Sequence, residues 1–560
     1  MIQQRLISIL SDAARAAASE LGLEPGSIPS PELTRPKQKK FGDWSTNLAL
    51  VLAAQVGKPP RSMAEAIVEH MHTGDTVTKV EIAGRGFINL FVSHAWLYET
   101  LERILDEGPV YGRGERTGER VQVEFVSANP VGPLHVGTAR NAVLGDAMAS
   151  VLEFAGNEVE REYYFNDAGR QLELFGESVE ARYLERFGVQ AEVPDEGYQG
   201  QQVIDLAEAI ATDHGDALVG LLAEDRRLRI REEAVARTMD RIRATLERFR
   251  IRFDTWVNER DFHESGAIAE AVARLRESGH AYERDGAIFF RATEFGDEKD
   301  RVLIRSNGRP TYFGVDCAYL LHKGARGFDR LIYVLGADHH GTVKRLVSAG
   351  EALGVKASVE VLLYQLVHLK RGGEPVRMSK RAGDYITLDE LLDEVGVDAA
   401  RYTLLTRSSD SGIDFDIELV TRQTMDNPVY YVQYAHARIA SLLRVAKEQG
   451  VSLRPWREVN LQELTQEAEL DLLRKLAEFP EVVAIAAEAL APHRLTRFAE
   501  EVAAQFHRFY TECRVITEDE PLTQARLWLA TSAREVIGSA LRLIGVSAPE
   551  SMERIGGSES

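Results

Sequence analysis

At 560 residues, 44% hydrophobic and 28% charged, the chain has the composition of a globular protein large enough for several domains. A formal net charge of −20 argues against a general nucleic-acid binder, which should be basic, but not against an enzyme that gathers basic residues on one face. No apolar run approaches the roughly 20 residues of a membrane span, and the two cysteines, Cys317 and Cys513, cannot supply a four-thiolate zinc site and point to a reducing, cytoplasmic setting.

Residues 1–110 read as a small α+β module. An amphipathic helix without a signal-peptide core is predicted over Ile2–Leu21, then an extended connector carrying Lys37, Lys39 and Lys40. Helices follow near Ser45–Gln55 and Ser62–His70. Strands Val77–Ile82 and Phe87–Val92 turn through Gly84-Arg85-Gly86 as a hairpin.

Residues 111–420 alternate strand and helix, which predicts an α/β domain with a Rossmann-like parallel sheet. It opens with strand Val121–Val126, a Gly/Pro loop and a helix from Leu134. Unpaired amides and the dipole at such a helix start favour phosphate. His135 is placed to add a donor, and Gly137 leaves room for a flat ring against the backbone. There is no GxxxxGK[ST], so this is not a P-loop. After strand Val159–Phe165, about 171–275 reads as a largely helical insertion. Ala287–Arg291 and Val302–Arg305 return to strand. Asp329–Leu335 runs into Gly336-Ala337-Asp338-His339-His340-Gly341, and Val359–His368 precedes the polar loop Lys370–Asp384. Adjacent His339 and His340 lack a third spaced ligand, so no metal site is expected. Over 421–560 only helices are predicted, at Pro428–Lys447, Glu467–Leu490, His493–Thr511 and Leu522–Leu543, forming an all-α bundle.

Several groups of residues suggest chemistry. Lys380, on the Gly-flanked loop VRMSKRAG, is a cation that such a loop can bring over negative charge developing in a transition state. Asp338, at the carboxyl end of a strand, can accept from hydroxyls as the acidic residue of dinucleotide folds does. Tyr312 and Asp316, four apart, share one helix face and suit a planar cation such as guanidinium. Glu124 and Asn129 can accept from an α-amino group. Tyr430/Tyr434 and Tyr431/Ala435 lie one turn apart and suit stacking on unpaired bases.

PxxxxHVGT at Pro130–Thr138 resembles the HIGH signature of class I aminoacyl-tRNA synthetases, and VRMSKRAG resembles their KMSKS signature in its arginyl form. The two stand about 240 residues apart. Thr138 replaces the second histidine of the first signature, and Arg377 the first lysine of the second. With GDWSTNLAL and GxGFIN near the start and NPVYYVQYAHARIASLLR in the bundle, the resemblance to arginyl-tRNA synthetases covers essentially the whole chain. It implies an N-terminal domain (1–110) touching the tRNA elbow, a catalytic domain (111–420) and an anticodon-binding domain (421–560).

The implied activity is ligation of L-arginine to tRNA(Arg) through arginyl-adenylate, using ATP with Mg²⁺, by a cytoplasmic monomer with neither structural zinc nor a membrane. The resemblance places ATP against Pro130, His135, Gly137, Thr138, Gly336, Asp338, Met378, Ser379 and Lys380, with Arg377 beside them. It places arginine against Glu124, Ser127, Asn129, Tyr312, Asp316 and His339, and tRNA against Phe87, Asn89, Tyr431, Ala435 and Met552. Thr138 and Arg377 leave a catalytically impaired tRNA-binding paralogue as one alternative. A class I enzyme for another amino acid is a second.

Overall fold

The computed structural model describes residues 2–36, 38–376 and 386–552. The chain divides into two compact units, one of Met1–Gly108, Ser452–Ala477 and Phe509–Ser532, the other of Pro109–Val451, Glu478–Arg508 and Ala533–Ser560.

The larger unit is built on a five-stranded sheet of Arg120–Glu124 (β1), Glu158–Phe165 (β2), Thr255–Asn258 (β3), Arg330–Gly336 (β4) and Ser358–Tyr364 (β5). Their order is β5-β4-β1-β2-β3 and every pairing is parallel. The chain builds outward from β1 in one direction and then, from β4, in the other. The crevice beyond the carboxyl ends of β1 and β4 is therefore the topological switch point, where such sheets bind ligands. The predicted α/β class and parallel sheet are present.

The helix after β1, Val136–Phe154 (α1), is buried on nearly every side, which explains its lack of a polar face. Phe125 packs where a Cβ on Gly145 would lie 2.2 Å from its ring, so only glycine fits there. Buried Arg140 ties α1 to the segment after β5, donating to Gln365 O at 2.6 Å and Ser408 O at 2.8 Å.

Two strands differ from expectation. Thr255–Asn258, inside the supposed helical insertion, joins the central sheet against β2. Its four residues are too few to show periodicity. The single strand expected over Val359–His368 is two: β5 ends at Tyr364, and Val367–Arg371 pairs with Ile413–Asp416 in a separate small sheet. The strands at Ala287–Phe290 and Arg301–Ile304 lie with Ala281–Arg284 in an antiparallel sheet of their own.

In the smaller unit, Ile2–Leu21 buries Leu6, Leu10, Ala13, Ala14 and Ala17 along one stripe. A four-stranded antiparallel sheet runs in the order Leu33–Thr34, Trp44–Thr46, Phe87–Val92, Val77–Ala83. Trp44–Thr46 is strand where a helix was expected to begin, and the helix starts at Leu48. The hairpin turn needs Gly86, whose φ is +141° and whose Cβ would meet Pro60 O at 2.7 Å. Instead of one helix over Glu467–Leu490 there are two, Glu467–Leu476 in this unit and Phe479–Glu488 in the larger one. Pro480 sits in the first turn of the second, where its missing N–H leaves no bond unmade.

Candidate active site

The site begins where β1 ends. Val126 and Ser127 both hold left-handed backbone, with φ of 66° and 43°. Neither is glycine, so this turn is strained and must be held by its surroundings. Asn141 on α1 accepts from Val126 N at 2.5 Å and donates to Val334 O on β4 at 2.8 Å. The Tyr163 hydroxyl on β2 donates to Ala128 O at 2.8 Å, and Ser127 Oγ accepts from Tyr164 N at 3.2 Å. The loop is thereby fixed from both flanking strands and from the helix behind it. Asn129 is held the same way, its amide donating to Gln171 Oε1 at 2.9 Å and its Oδ1 accepting from Asn166 N at 3.3 Å.

His135 caps α1 with extended backbone and lies exposed. A Cβ on Gly137 would stand 2.8 Å from Nδ1 and Cε1 of His135, so the flat ring over this glycine is the histidine's own. The helix start offers fewer donors than the sequence implied. Val136 N already donates to Ile386 O at 3.2 Å, and Thr138 N to His135 O at 2.8 Å. Leu388 N completes the link by donating to Leu134 O at 2.7 Å. The chain after the polar loop is thus stitched directly to the histidine segment. Before that loop, Val376 N donates to Leu369 O at 2.9 Å. Arg377, Met378, Ser379 and Lys380 lie outside the described residues.

Across the switch point, β4 ends in buried Gly336, and exposed Asp338 and His339 stand 3.8 Å apart at the start of the helix His340–Ala352 (α3). Pro130 and Thr138 are buried beneath the loop. The helix Tyr312–Ala325 (α2) is capped by Thr311, whose side chain accepts from Gly314 N at 3.2 Å. It lowers a stripe into the same region. Tyr312 is 74% exposed at the top, Asp316 is half-buried, and Tyr319 and Lys323 are buried below.

Charge is concentrated here. Lys323 Nζ lies 2.5 Å from Glu124 Oε2 and 3.5 Å from Glu162 Oε1. Glu124 Oε1 accepts from Ser127 Oγ at 3.0 Å. Buried Glu259, just past β3, accepts from the Tyr164 hydroxyl at 2.6 Å. Burial, reinforced by Glu124 and Glu259 and opposed by Arg345, raises the Asp316 carboxyl to about 7. Burial and the same acidic neighbours, Glu259 first, push the Tyr164 hydroxyl up as well. Three carboxylates thus share a partly covered pocket that a cation would relieve. Burial also works to raise Glu162, but Lys323, Tyr319 and Arg326 hold it below the usual carboxylate range.

Glu259, Tyr164, Lys323, Asn141 and Gln171 were not singled out from the sequence. Each is an ordinary residue of a strand or helix until the fold brings it to β1. Two expected RNA contacts are not presented to solvent. Asn89 is 3% exposed and its Oδ1 accepts from Ser45 Oγ at 2.7 Å, so it braces two strands while Phe87 beside it is 45% exposed. Ala435 is fully buried, because the Tyr/Ala stripe on the helix Pro428–Glu448 faces inward at that position. Tyr431 is half-buried with its ring 5.1 Å from that of His507, and Tyr430 stacks on Tyr434 at 6.0 Å. Met552 lines a cavity of about 640 Å³ with Tyr430, Gln433 and Asn427.

Comparison with known proteins covers the chain end to end. The family models described as "Arginyl tRNA synthetase N terminal domain", "tRNA synthetases class I (R), catalytic domain" and "DALR anticodon binding domain" match residues 3–92, 100–424 and 432–552. An arginine–tRNA ligase of Carboxydothermus hydrogenoformans is 48% identical over 552 residues, spanning 98% of this chain and 99% of the relative. That of Desulforamulus reducens is 48% identical over 554 residues, with the same coverage. The arginyl-tRNA synthetase structure from Thermus thermophilus superposes with a TM-score of 0.76 at 24% identity, over 98% of this chain and all of that one.

Proposed function

The chain belongs to the arginyl-tRNA synthetase family, and from that premise we propose how its residues divide the work of charging tRNA with arginine. The arginine carboxylate attacks the α-phosphorus of ATP, pyrophosphate leaves, and arginyl-adenylate passes its acyl group to the terminal adenosine of tRNA(Arg), on the 2′-hydroxyl as in class I enzymes. No side chain needs to act as a covalent nucleophile, so positioning and charge stabilisation carry the catalysis.

The observation that supports arginine as the substrate is the carboxylate pocket. In our reading the guanidinium enters beside Asp316 and Glu259 with Tyr312 over it, and the α-amino group meets Glu124 and Asn129, with Ser127 and His339 at the rim. ATP lies along Pro130–Thr138, its adenine side toward His135 and Gly137 and its ribose toward Gly336 and Asp338. Lys380, with Arg377, Met378 and Ser379, closes over the departing pyrophosphate. Val136 N donating to Ile386 O and Leu388 N donating to Leu134 O hold the chain from Ile386 onward against the nucleotide site. Mg²⁺ would arrive on the ATP phosphates, as part of the substrate.

For tRNA, we assign residues 1–110 to the elbow through exposed Phe87, 111–420 to catalysis, and 421–560 to the anticodon through Tyr431 and Met552. The proposed form is a cytosolic monomer. No helix among the described residues is long and apolar enough to cross a membrane. The pocket is tested by equilibrium binding of arginine against citrulline, its near-isosteric neutral analogue. Citrulline should bind at least about tenfold more weakly, since it cannot replace a charged pair. Equal affinity would sink the assignment.

A further inference from the structure

The geometry points to Lys323 as a positioning residue for the amino-acid site, its buried ammonium holding the Glu124 carboxylate in the orientation that meets the α-amino group of arginine. This rests on the reading of Glu124 given above.

Lys323 has no solvent exposure and takes no part in the chemistry described so far. Its ammonium is enclosed by Glu124 Oε2 at 2.5 Å, Glu162 Oε1 at 3.5 Å and the ring faces of Tyr333 and Tyr319, 4.0 and 4.3 Å from their centroids. A buried lysine is costly to hold charged, so its partners must define its place closely. Glu162 has other support: Arg326, the Tyr319 hydroxyl, and Gln122 Nε2 at 2.9 Å. Glu124 is different. Among the described residues its ion-pair partner is Lys323. Its second oxygen is turned to the Ser127 hydroxyl, at the strained turn where the substrate site opens. Asp316 and the hydroxyls of Tyr164, Tyr319 and Tyr333 all feel the Glu124 carboxylate, so its neighbourhood beyond Lys323 is acidic and phenolic.

Placement on α2 adds a second consequence. Tyr312, Asp316, Tyr319 and Lys323 follow at intervals of four, three and four, so they share one helix face. One rigid element thus presents the guanidinium partners near its start and, about two turns deeper, anchors the α-amino partner. The distance between the two ends of the substrate is set by a single helix.

The test compares binding of arginine and of 5-guanidinopentanoate, which is arginine without its α-amino group, to the full chain. Lys323→Met should weaken arginine roughly tenfold or more while leaving 5-guanidinopentanoate within about twofold. Glu124→Gln should show the same selective loss, and the two changes together little more than either, because they disrupt one interaction. If Lys323→Met does not fold, Lys323→Met with Glu162→Gln removes the leftover repulsion, and thermal unfolding should show a folded protein with the same selective loss. Equal weakening of both ligands, or arginine binding unchanged in a folded Lys323 variant, overturns the positioning role. Unchanged discrimination in Glu124→Gln as well overturns the α-amino reading beneath it.

Discussion

Replacing Asp316 with Asn should make the free protein more stable and the enzyme worse. The carboxyl is raised from its ordinary 3.8 to about 7 by burial, with Glu124 and Glu259 adding to it. At 1.36 kcal/mol per pH unit, ionising it in the folded state costs at most about 4 kcal/mol. The sign follows from proton binding: between pH 3.8 and about 7 the folded state holds a proton that the unfolded state has released. Wild-type stability therefore falls as pH rises through this window and levels off above it. Asn cannot ionise, so its advantage should be absent near pH 4, grow toward pH 7 and hold at pH 8. The same change removes the carboxylate that meets the guanidinium, which should raise the KM for arginine about tenfold to a hundredfold while sparing that for ATP. Thermal unfolding at about pH 4.5, near the start of the window, and at about pH 8, beyond its end, with aminoacylation kinetics at the higher, reads both effects. An unchanged arginine KM, or a stability gain that ignores pH, would refute the reasoning.

Wild-type arginine affinity should itself rise with pH, up to about tenfold per unit below 7, and flatten above it, because the pocket must release the Asp316 proton to receive a cation; calorimetry in buffers of different ionisation enthalpy would detect that proton. Gly137→Ala places a methyl 2.8 Å from the His135 ring, which must swing aside, so the KM for ATP should rise with arginine binding retained. Lys380→Ala should slow adenylate formation about a hundredfold or more in single-turnover assays with little change in arginine affinity, as expected of a group acting on the leaving pyrophosphate. Phe87→Ala should weaken tRNA binding by roughly 1–3 kcal/mol of lost stacking without disturbing the fold, whereas Asn89→Ala should lower the thermal midpoint by breaking its buried bond to Ser45.

The catalytic sheet was legible because its signals are local. A strand, a Gly/Pro break and an apolar helix from Val121 to Ala149 carry their own geometry, and β1 and the start of α1 fall within two residues of where the pattern placed them, while α1 runs on to Phe154. Thr255–Asn258 was not legible, since four residues gain strand character only from pairing with Glu162–Phe165. The pocket divides the same way. Tyr312 and Asp316 stand out by helical spacing and Glu124 by its place at a strand end. Glu259 and Lys323 lie about 135 and 200 residues from Glu124 and become visible only once β3 and α2 pack beside β1. Burial also decides what sequence cannot: Asn89 and Ala435 match in type but point inward.

The most direct test of the account is ATP–pyrophosphate exchange by the full chain, with each of the twenty amino acids in turn and bulk tRNA present. Exchange with arginine alone, stopped by omitting tRNA(Arg) or by Asp316→Asn at limiting arginine, is the predicted result. Exchange with a different amino acid, or none with any while tRNA still binds, would contradict it.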